Sequence, residues 1–240
     1  MPRIRVITFD LDNTLWDLKS VLSGAERRMV RWLEEAVPEV MAVYAKGGAL
    51  ADIRAGLIEE QPAIVHDVSR LREELTWRCI RSVGRDEESA RRLARGAFQV
   101  FLDARHEIEF FDGAIDALER LSRNYTLGSL TNGNADPRRL KLDRYFSFSF
   151  SAADVGAGKP APALFEAALG HSGARPDEAV HIGDHPIDDI QGAASVGMHT
   201  IWANGAVRRL LPEGNAAVQP TVEIEALDEL DGAIKYIEGL

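Results

Sequence analysis

Phe9-Asp10-Leu11-Asp12-Asn13-Thr14-Leu15 closes a short apolar run with two carboxylates and a hydroxyl at alternate positions. In the residues before it, 3–11, Ile4, Val6, Ile7 and Phe9 are apolar and partly β-branched, which predicts a strand ending among polar side chains. Downstream, from about Ser20 to Arg105, the period changes to that of helices. Ser23 and Glu26 have capping-box spacing, and Ala25, Met29, Leu33 and Val37 recur every four residues. Val68, Leu71, Leu75 and Cys79 form a second stripe after His66-Asp67. Ala90, Leu93, Ala97, Phe101 and Ala104 form a third, behind a cap at Asp86. This block shows no strand pattern, and its stripes read as packing faces, with Cys79 as a core residue.

After Phe111 strands and helices alternate. The pattern predicts a helix over 113–122, a strand over 125–130 running into Thr131-Asn132-Gly133-Asn134, and a strand over 146–151. A helix over 160–171 follows, with proline near its start. Then come a strand over 179–182 before Gly183-Asp184, a helix over 187–196, a strand over 199–203 and a closing helix over 224–237. Such alternation implies right-handed βαβ units and a parallel sheet. The expected fold is α/β, a Rossmann-like parallel sheet core built from residues 1–16 and 110–240, interrupted after its first strand by a helical insert at 17–109.

Composition narrows the function classes. The 240 residues include 28 Lys and Arg against 38 Asp and Glu, a net charge of −10, which argues against a groove tracking nucleic-acid phosphates. No apolar run reaches the roughly 18 residues that span a bilayer, so no membrane partner is expected. Met1-Pro2-Arg3-Ile4-Arg5-Val6 does not read as a signal peptide, and the expected location is cytoplasmic. A single cysteine, Cys79, rules out an internal disulfide and a multi-cysteine metal site. An acidic protein still binds phosphorylated small molecules if a divalent cation reverses the local field.

Ligands of open parallel sheets bind beyond the carboxyl ends of the strands. There the chain places Asp10, Asp12 and Thr14, then Thr131 and Asn132, then Lys159, then Asp184, Asp188 and Asp189. Several carboxylates facing one another need a cation. Oxygen ligands of this kind suit Mg²⁺, which takes one or two carboxylates, waters and a substrate phosphate. Lys159 is left as a point charge for the phosphate or for orienting a carboxylate.

These motifs carry a resemblance. Phe9-Asp10-Leu11-Asp12-Asn13-Thr14-Leu15, Leu130-Thr131-Asn132-Gly133, Lys159-Pro160 and Gly183-Asp184-His185-Pro186-Ile187-Asp188-Asp189 resemble the four ordered motifs of the haloacid dehalogenase-like superfamily. The insert sits where that superfamily carries a C1-type cap. The resemblance implies that Asp10 is a nucleophile forming an aspartyl-phosphate and that Asp12 is the acid and base. It implies Mg²⁺ held by Asp10, the backbone carbonyl of Asp12, Asp184 and a second acidic residue of the last motif. That residue is either Asp188, four after Asp184, or Asp189, five after. Asp189, directly before the apolar Ile190, matches the superfamily's longer spacing. Thr131, Asn132 and Gly133 would bind the phosphoryl oxygens, and Lys159 would stabilise nucleophile and phosphate. His185 stands where many relatives carry serine.

Dehalogenases of the superfamily lack an acid two residues after the nucleophile, because halide leaves unprotonated; Asp12 therefore favours phosphoryl chemistry. Thr14 favours a phosphatase over a mutase. The stretch from Gln61 to Arg70, with Thr131 to Ala135, is similar to a bacterial subgroup that dephosphorylates flavin mononucleotide and 5-amino-6-(5-phospho-D-ribitylamino)uracil. The expectation is thus a Mg²⁺-dependent phosphomonoesterase acting on a small phosphorylated metabolite of that kind. The alternatives are a phosphatase for another nucleotide or sugar phosphate, or a non-catalytic binding module on the same fold.

Overall fold

The computed structural model describes residues 4–45, 47–205 and 219–240. Among them, six strands form one sheet: β1 (Val6–Phe9), β2 (Thr126–Thr131), β3 (Phe146–Ser151), β4 (Ala179–Gly183), β5 (His199–Ala203) and β6 (Val222–Ile224). Their spatial order is β3-β2-β1-β4-β5-β6, and every pairing is parallel. β1 lies in the interior between β2 and β4, with Phe9 in register with Ser129 on one side and Ile182 on the other. β1 and β4 are buried along their whole length, as strands covered on both faces are. Two polar side chains interrupt that apolar pattern, Thr8 and His181, both fully buried.

The chain divides into two compact units, one made of the chain up to Leu18 and from Glu109 onward, the other Lys19–Ile108. The second unit is helical in its described residues: α1 (Leu18–Ala36), α2 (Met41–Ala45), α3 (Gly47–Glu60), α4 (Val68–Ser82) and α5 (Glu87–Arg105). Its core is built from the expected stripes, with Ala25, Met29, Leu33, Val37, Cys79, Ala90, Ala97, Phe101 and Ala104 buried together. Asp67 and Asp86 cap α4 and α5, each accepting a backbone N–H at 2.9 Å. Burial pushes the Cys79 thiol up to about 11, in keeping with an inert packing residue.

The sheet unit carries α6 (Ala114–Ser122), α7 (Ala152–Val155), α8 (Ala163–Ser172), α9 (Gly192–Ser195) and α10 (Leu230–Glu238). Leu164, Phe165 and Ala168 of α8 and Ala193 of α9 pack with Val6, Leu130 and Ala179 of the sheet. Where the chain leaves and rejoins this unit, its two segments pair. The Phe111 N–H donates to the Leu15 carbonyl at 2.8 Å, and Trp16 and Phe110 form an antiparallel bridge with their rings edge-on at 5.8 Å.

Several expected boundaries move. α1 begins at Leu18, where the Asn13 side chain accepts the Leu18 N–H at 3.1 Å, so Ser23 and Glu26 lie inside the helix and do not cap it. The helix expected over 160–171 starts at Ala163, because Pro160 and Pro162 fall in the turn before it. The helix expected over 187–196 is a wide π-helical turn, Pro186–Gln191, followed by α9. The closing helix expected over 224–237 is instead β6, a 3₁₀ turn at Leu227–Glu229 and α10. Val222 and Ile224 extend the sheet beside Ile201 and Ala203 of β5, and that parallel pairing overrides the local helical pattern.

Candidate active site

The carboxyl ends of β1, β2 and β4 bring the acidic and polar motifs of the sheet unit together. Asp10 directly follows β1 and its N–H donates to the Ile182 carbonyl of β4 at 2.8 Å, which locks its backbone to the neighbouring strand. Asp184 directly follows β4. Asp189 returns to the same place on the π-helical turn, where both its own N–H and that of Ile190 donate to the His185 carbonyl, at 2.9 and 3.3 Å. Asp10, Asp184 and Asp189 present carboxylate oxygens within 4.8 Å of one another, and all three are buried. Asp188 is not in this cluster; its carboxylate lies 3.7 Å from His185 Nδ1.

Lys159 is the cation among these acids. Its buried Nζ donates to Asp10 Oδ1 at 2.6 Å, to Asp189 Oδ1 at 2.6 Å and to the Leu130 carbonyl at 2.8 Å, which uses all three ammonium protons. Asn132 fixes the lysine's backbone from both sides, its Nδ2 donating to the Lys159 carbonyl at 2.9 Å and its Oδ1 accepting the Lys159 N–H at 2.7 Å. A Cβ at Gly158 would meet that Asn132 oxygen at 2.9 Å, so the close approach requires glycine. Thr131 Oγ1 accepts the Gly133 N–H at 2.9 Å, and Thr14 Oγ1 donates to Asp10 Oδ2 at 3.3 Å.

Asp12 faces a different environment. It is half-buried, and its Oδ1 accepts the indole N–H of Trp16 at 2.8 Å. Trp16 itself is fully buried. Asn13, between the two aspartates' turn and Thr14, has φ of +63°, a left-handed conformation that asparagine tolerates better than most residues.

The electrostatics follow from burial and crowding. Burial raises the Asp10 carboxyl well above its ordinary range; Lys159 opposes this, while Asp189, Asp184 and Asp12 reinforce it. Burial also works against the charge on Lys159, yet Asp10 and Asp189 hold the ammonium's pKa above its ordinary value. Burial disfavours the Asp189 charge as well, but Lys159 and His181 hold that carboxyl well below the usual range. With all three carboxylates ionised, one ammonium would leave two negative charges, which one divalent cation would balance. Hard oxygen donors around such a deficit fit a Mg²⁺-type ion.

Two polar residues of the site were not singled out by sequence reasoning. His181 sits within β4, with Nδ1 2.8 Å from Thr8 Oγ1 and Nε2 3.1 Å from Asp189 Oδ1. Trp16, just before the insert, donates its indole N–H to Asp12. The available signals were a histidine inside an apolar strand and an indole four residues after Asp12.

The model of the haloacid dehalogenase-like hydrolases matches residues 4–197. The chain belongs to this family. It is an enzyme of the hydrolase class whose curated relatives include phosphatases. Over 234 residues it is 29% identical to the 5-amino-6-(5-phospho-D-ribitylamino)uracil phosphatase YigB of Escherichia coli (strain K12), covering 98% of each chain. It is 30% identical over 213 residues to the glyceraldehyde 3-phosphate phosphatase of Pyrococcus furiosus, covering 84% of this chain and 81% of that one. Among solved structures it is similar to a 2-haloacid dehalogenase from Pseudomonas syringae pv. Tomato DC3000, with a TM-score of 0.91 and 39% identity over 97% of this chain and 99% of that chain. Among the described residues no helix is long and apolar enough to cross a membrane.

Proposed function

We propose that this haloacid dehalogenase-like hydrolase is a Mg²⁺-dependent phosphomonoesterase acting through an aspartyl-phosphate on Asp10. The observation that carries this reading is the buried set of Asp10, Asp184 and Asp189 around Lys159, with a further carboxylate, Asp12, two residues from Asp10. Asp10 attacks phosphorus, a new bond forms to its carboxylate oxygen, and the bond to the leaving alkoxide breaks as Asp12 supplies the proton. Asp12 then takes a proton from water, the water oxygen attacks phosphorus, and the bond to Asp10 breaks to release inorganic phosphate. Lys159 keeps the Asp10 carboxylate oriented and offsets its charge, and Thr131, Asn132 and Gly133 receive the phosphoryl oxygens. Asp10, the Asp12 carbonyl, Asp184 and Asp189 are the groups that would hold a Mg²⁺ ion, which when bound would neutralise charge on the transferring group.

The substrate we propose is flavin mononucleotide or 5-amino-6-(5-phospho-D-ribitylamino)uracil, supported by full-length similarity to YigB and by the Gln61 to Arg70 stretch. The glyceraldehyde 3-phosphate phosphatase relative supports a small sugar phosphate as the runner-up. In this reading the Lys19–Ile108 unit acts as a cap that reads the group beyond the phosphate.

A second reading comes from the Pseudomonas dehalogenase structure. Displacement of halide from carbon needs no proton, so an acid two residues after the nucleophile has no work to do there, which favours the ester reading. One assay separates them: phosphate release from p-nitrophenyl phosphate, flavin mononucleotide and glyceraldehyde 3-phosphate, and halide release from 2-chloropropionate, each with Mg²⁺ and with excess EDTA. Phosphate release that EDTA abolishes is the expected result. Halide release without phosphate release would replace the proposal by the dehalogenase, and neither activity would favour a binding module.

A further inference from the structure

We propose that His181 is a positioning residue for the Lys159 ammonium: its Nε2–H fixes the Asp189 carboxylate, and Asp189 in turn holds the lysine on Asp10. The geometry stands by itself, and only the kinetic consequence rests on the phosphatase reading.

His181 lies inside β4 between Val180 and Ile182, and all three are fully buried. An imidazole in such a place is costly unless both ring nitrogens are bonded. Both are. Nδ1 lies 2.8 Å from Thr8 Oγ1 on the adjacent β1, and Nε2 lies 3.1 Å from Asp189 Oδ1. The Phe165 ring stands edge-on at 5.1 Å and holds the imidazole plane.

The direction of each hydrogen bond follows from the partners. An ionised carboxylate only accepts, so the ring nitrogen facing Asp189 carries the hydrogen. In a neutral imidazole Nδ1 is then a bare acceptor, and the Thr8 hydroxyl donates to it. The Val180 carbonyl, 3.4 Å from Thr8 Oγ1, is the longer and weaker alternative. Thr8 therefore sets the tautomer of His181, and the tautomer sets the bond to Asp189.

Asp189 transmits this to the lysine. Its Oδ1 receives both the His181 Nε2–H and the Lys159 ammonium, while Oδ2 accepts the His185 N–H at 2.9 Å. Three donors fix the carboxylate plane. Without His181 the oxygen that carries Lys159 keeps the lysine as its donor and loses its second anchor. The ammonium, whose other two protons go to Asp10 and the Leu130 carbonyl, would then follow a looser Asp189. A histidine that merely fills the core predicts something else: its loss would cost stability and leave the lysine in place.

The test uses the full chain with His181→Leu, His181→Gln and Thr8→Val. Glutamine keeps an amide N–H near the place of Nε2, and valine removes only the Thr8 hydroxyl. With p-nitrophenyl phosphate, His181→Leu should lower kcat by about tenfold or more, ~1.4 kcal/mol, with KM nearly unchanged. His181→Gln should recover most of that loss, and Thr8→Val should fall between. In ¹⁵N–¹H spectra the Lys159 ammonium protons should be visible in the wild type and the glutamine variant and broadened beyond detection in the leucine variant. Unchanged kcat in His181→Leu, or equal losses in the leucine and glutamine variants tracking Tm, would overturn the proposal. Should the leucine variant not fold, Thr8→Val decides, since a lower kcat at unchanged Tm supports positioning and an unchanged kcat opposes it. Should the wild type hydrolyse no phosphate ester, the phosphatase reading fails, and the ammonium signals still decide the role of His181.

Discussion

Asp10 and Asp12 are two residues apart and held in unlike surroundings. Asp10 is buried against Lys159 and Thr14, whereas Asp12 is half-buried and bound to the Trp16 indole. In the proposed mechanism the contrast suits a nucleophile that must stay oriented and an acid that must exchange its proton. Replacing Asp12 by alanine should therefore discriminate between leaving groups. For an alkyl phosphate, kcat/KM should fall by about 10²-fold or more, the scale of general acid catalysis. For p-nitrophenyl phosphate, whose leaving group needs little protonation, the loss should stay below about tenfold. Equal losses measured for the two esters would contradict the acid role. At this scale the candidate residues legible in the sequence are those at the end of a strand or in the segment beyond it, namely Asp10, Asp12, Thr131, Lys159, Asp184 and Asp189. Their partners are not legible. Thr8 and His181 are 173 residues apart, and nothing local to either names the other.

The π-helical turn at Pro186–Gln191 is the element that closes the acidic cluster. Its wide hydrogen-bonded loop back to the His185 carbonyl carries Asp189 over the end of β4. The carboxylate comes so close to Gly183 that a Cβ there would lie 2.2 Å from Asp189 Cγ. A side chain already tied by three donors has little room to yield. Gly183→Ala should thus lower kcat by at least about tenfold, while overpacking costs roughly 1–3 kcal/mol of stability. A kinetic assay beside a thermal melt checks this, and an alanine variant with wild-type turnover would show that Asp189 has room to move. The apolar periodicity around Ile187 and Ile190 resembles that of an α-helix, so the wider turn was not legible. β6 escaped because three residues are too few to show alternation. The strands β3 and β5, by contrast, were read with their observed limits.

Across the whole molecule, charge is divided unevenly. The Lys19–Ile108 unit holds 15 basic and 15 acidic residues, so the net charge of −10 belongs to the sheet unit with its carboxylate cluster. A neutral helical unit is free to read a substrate by shape and hydrogen bonding. Within it the stretch proposed to do so has local structural duties: Asp67 caps α4, and the Arg70 guanidinium donates to Gln61 Oε1 at 2.8 Å. The informative substitution is therefore His66→Ala, with the Asp67 cap and the Arg70–Gln61 bond left intact. It should lower kcat/KM for flavin mononucleotide and change that for p-nitrophenyl phosphate by less than about tenfold. If both activities fall together, the helical unit helps to assemble the site and does not merely discriminate.

The pairing of Leu15 and Trp16 with Phe110 and Phe111 has a consequence for how this chain tolerates change. It brings the two ends of the excursion together within the sheet unit, so that everything between them is one closed loop. The entropy of closing a loop grows only with the logarithm of its length, about 0.6 kcal/mol for each doubling. The sheet is thus nearly indifferent to how long the excursion is or what it folds into. Helices can be gained, lost or exchanged there while β1 still meets β2, and the chemistry at the strand ends can be handed to a new substrate without being rebuilt.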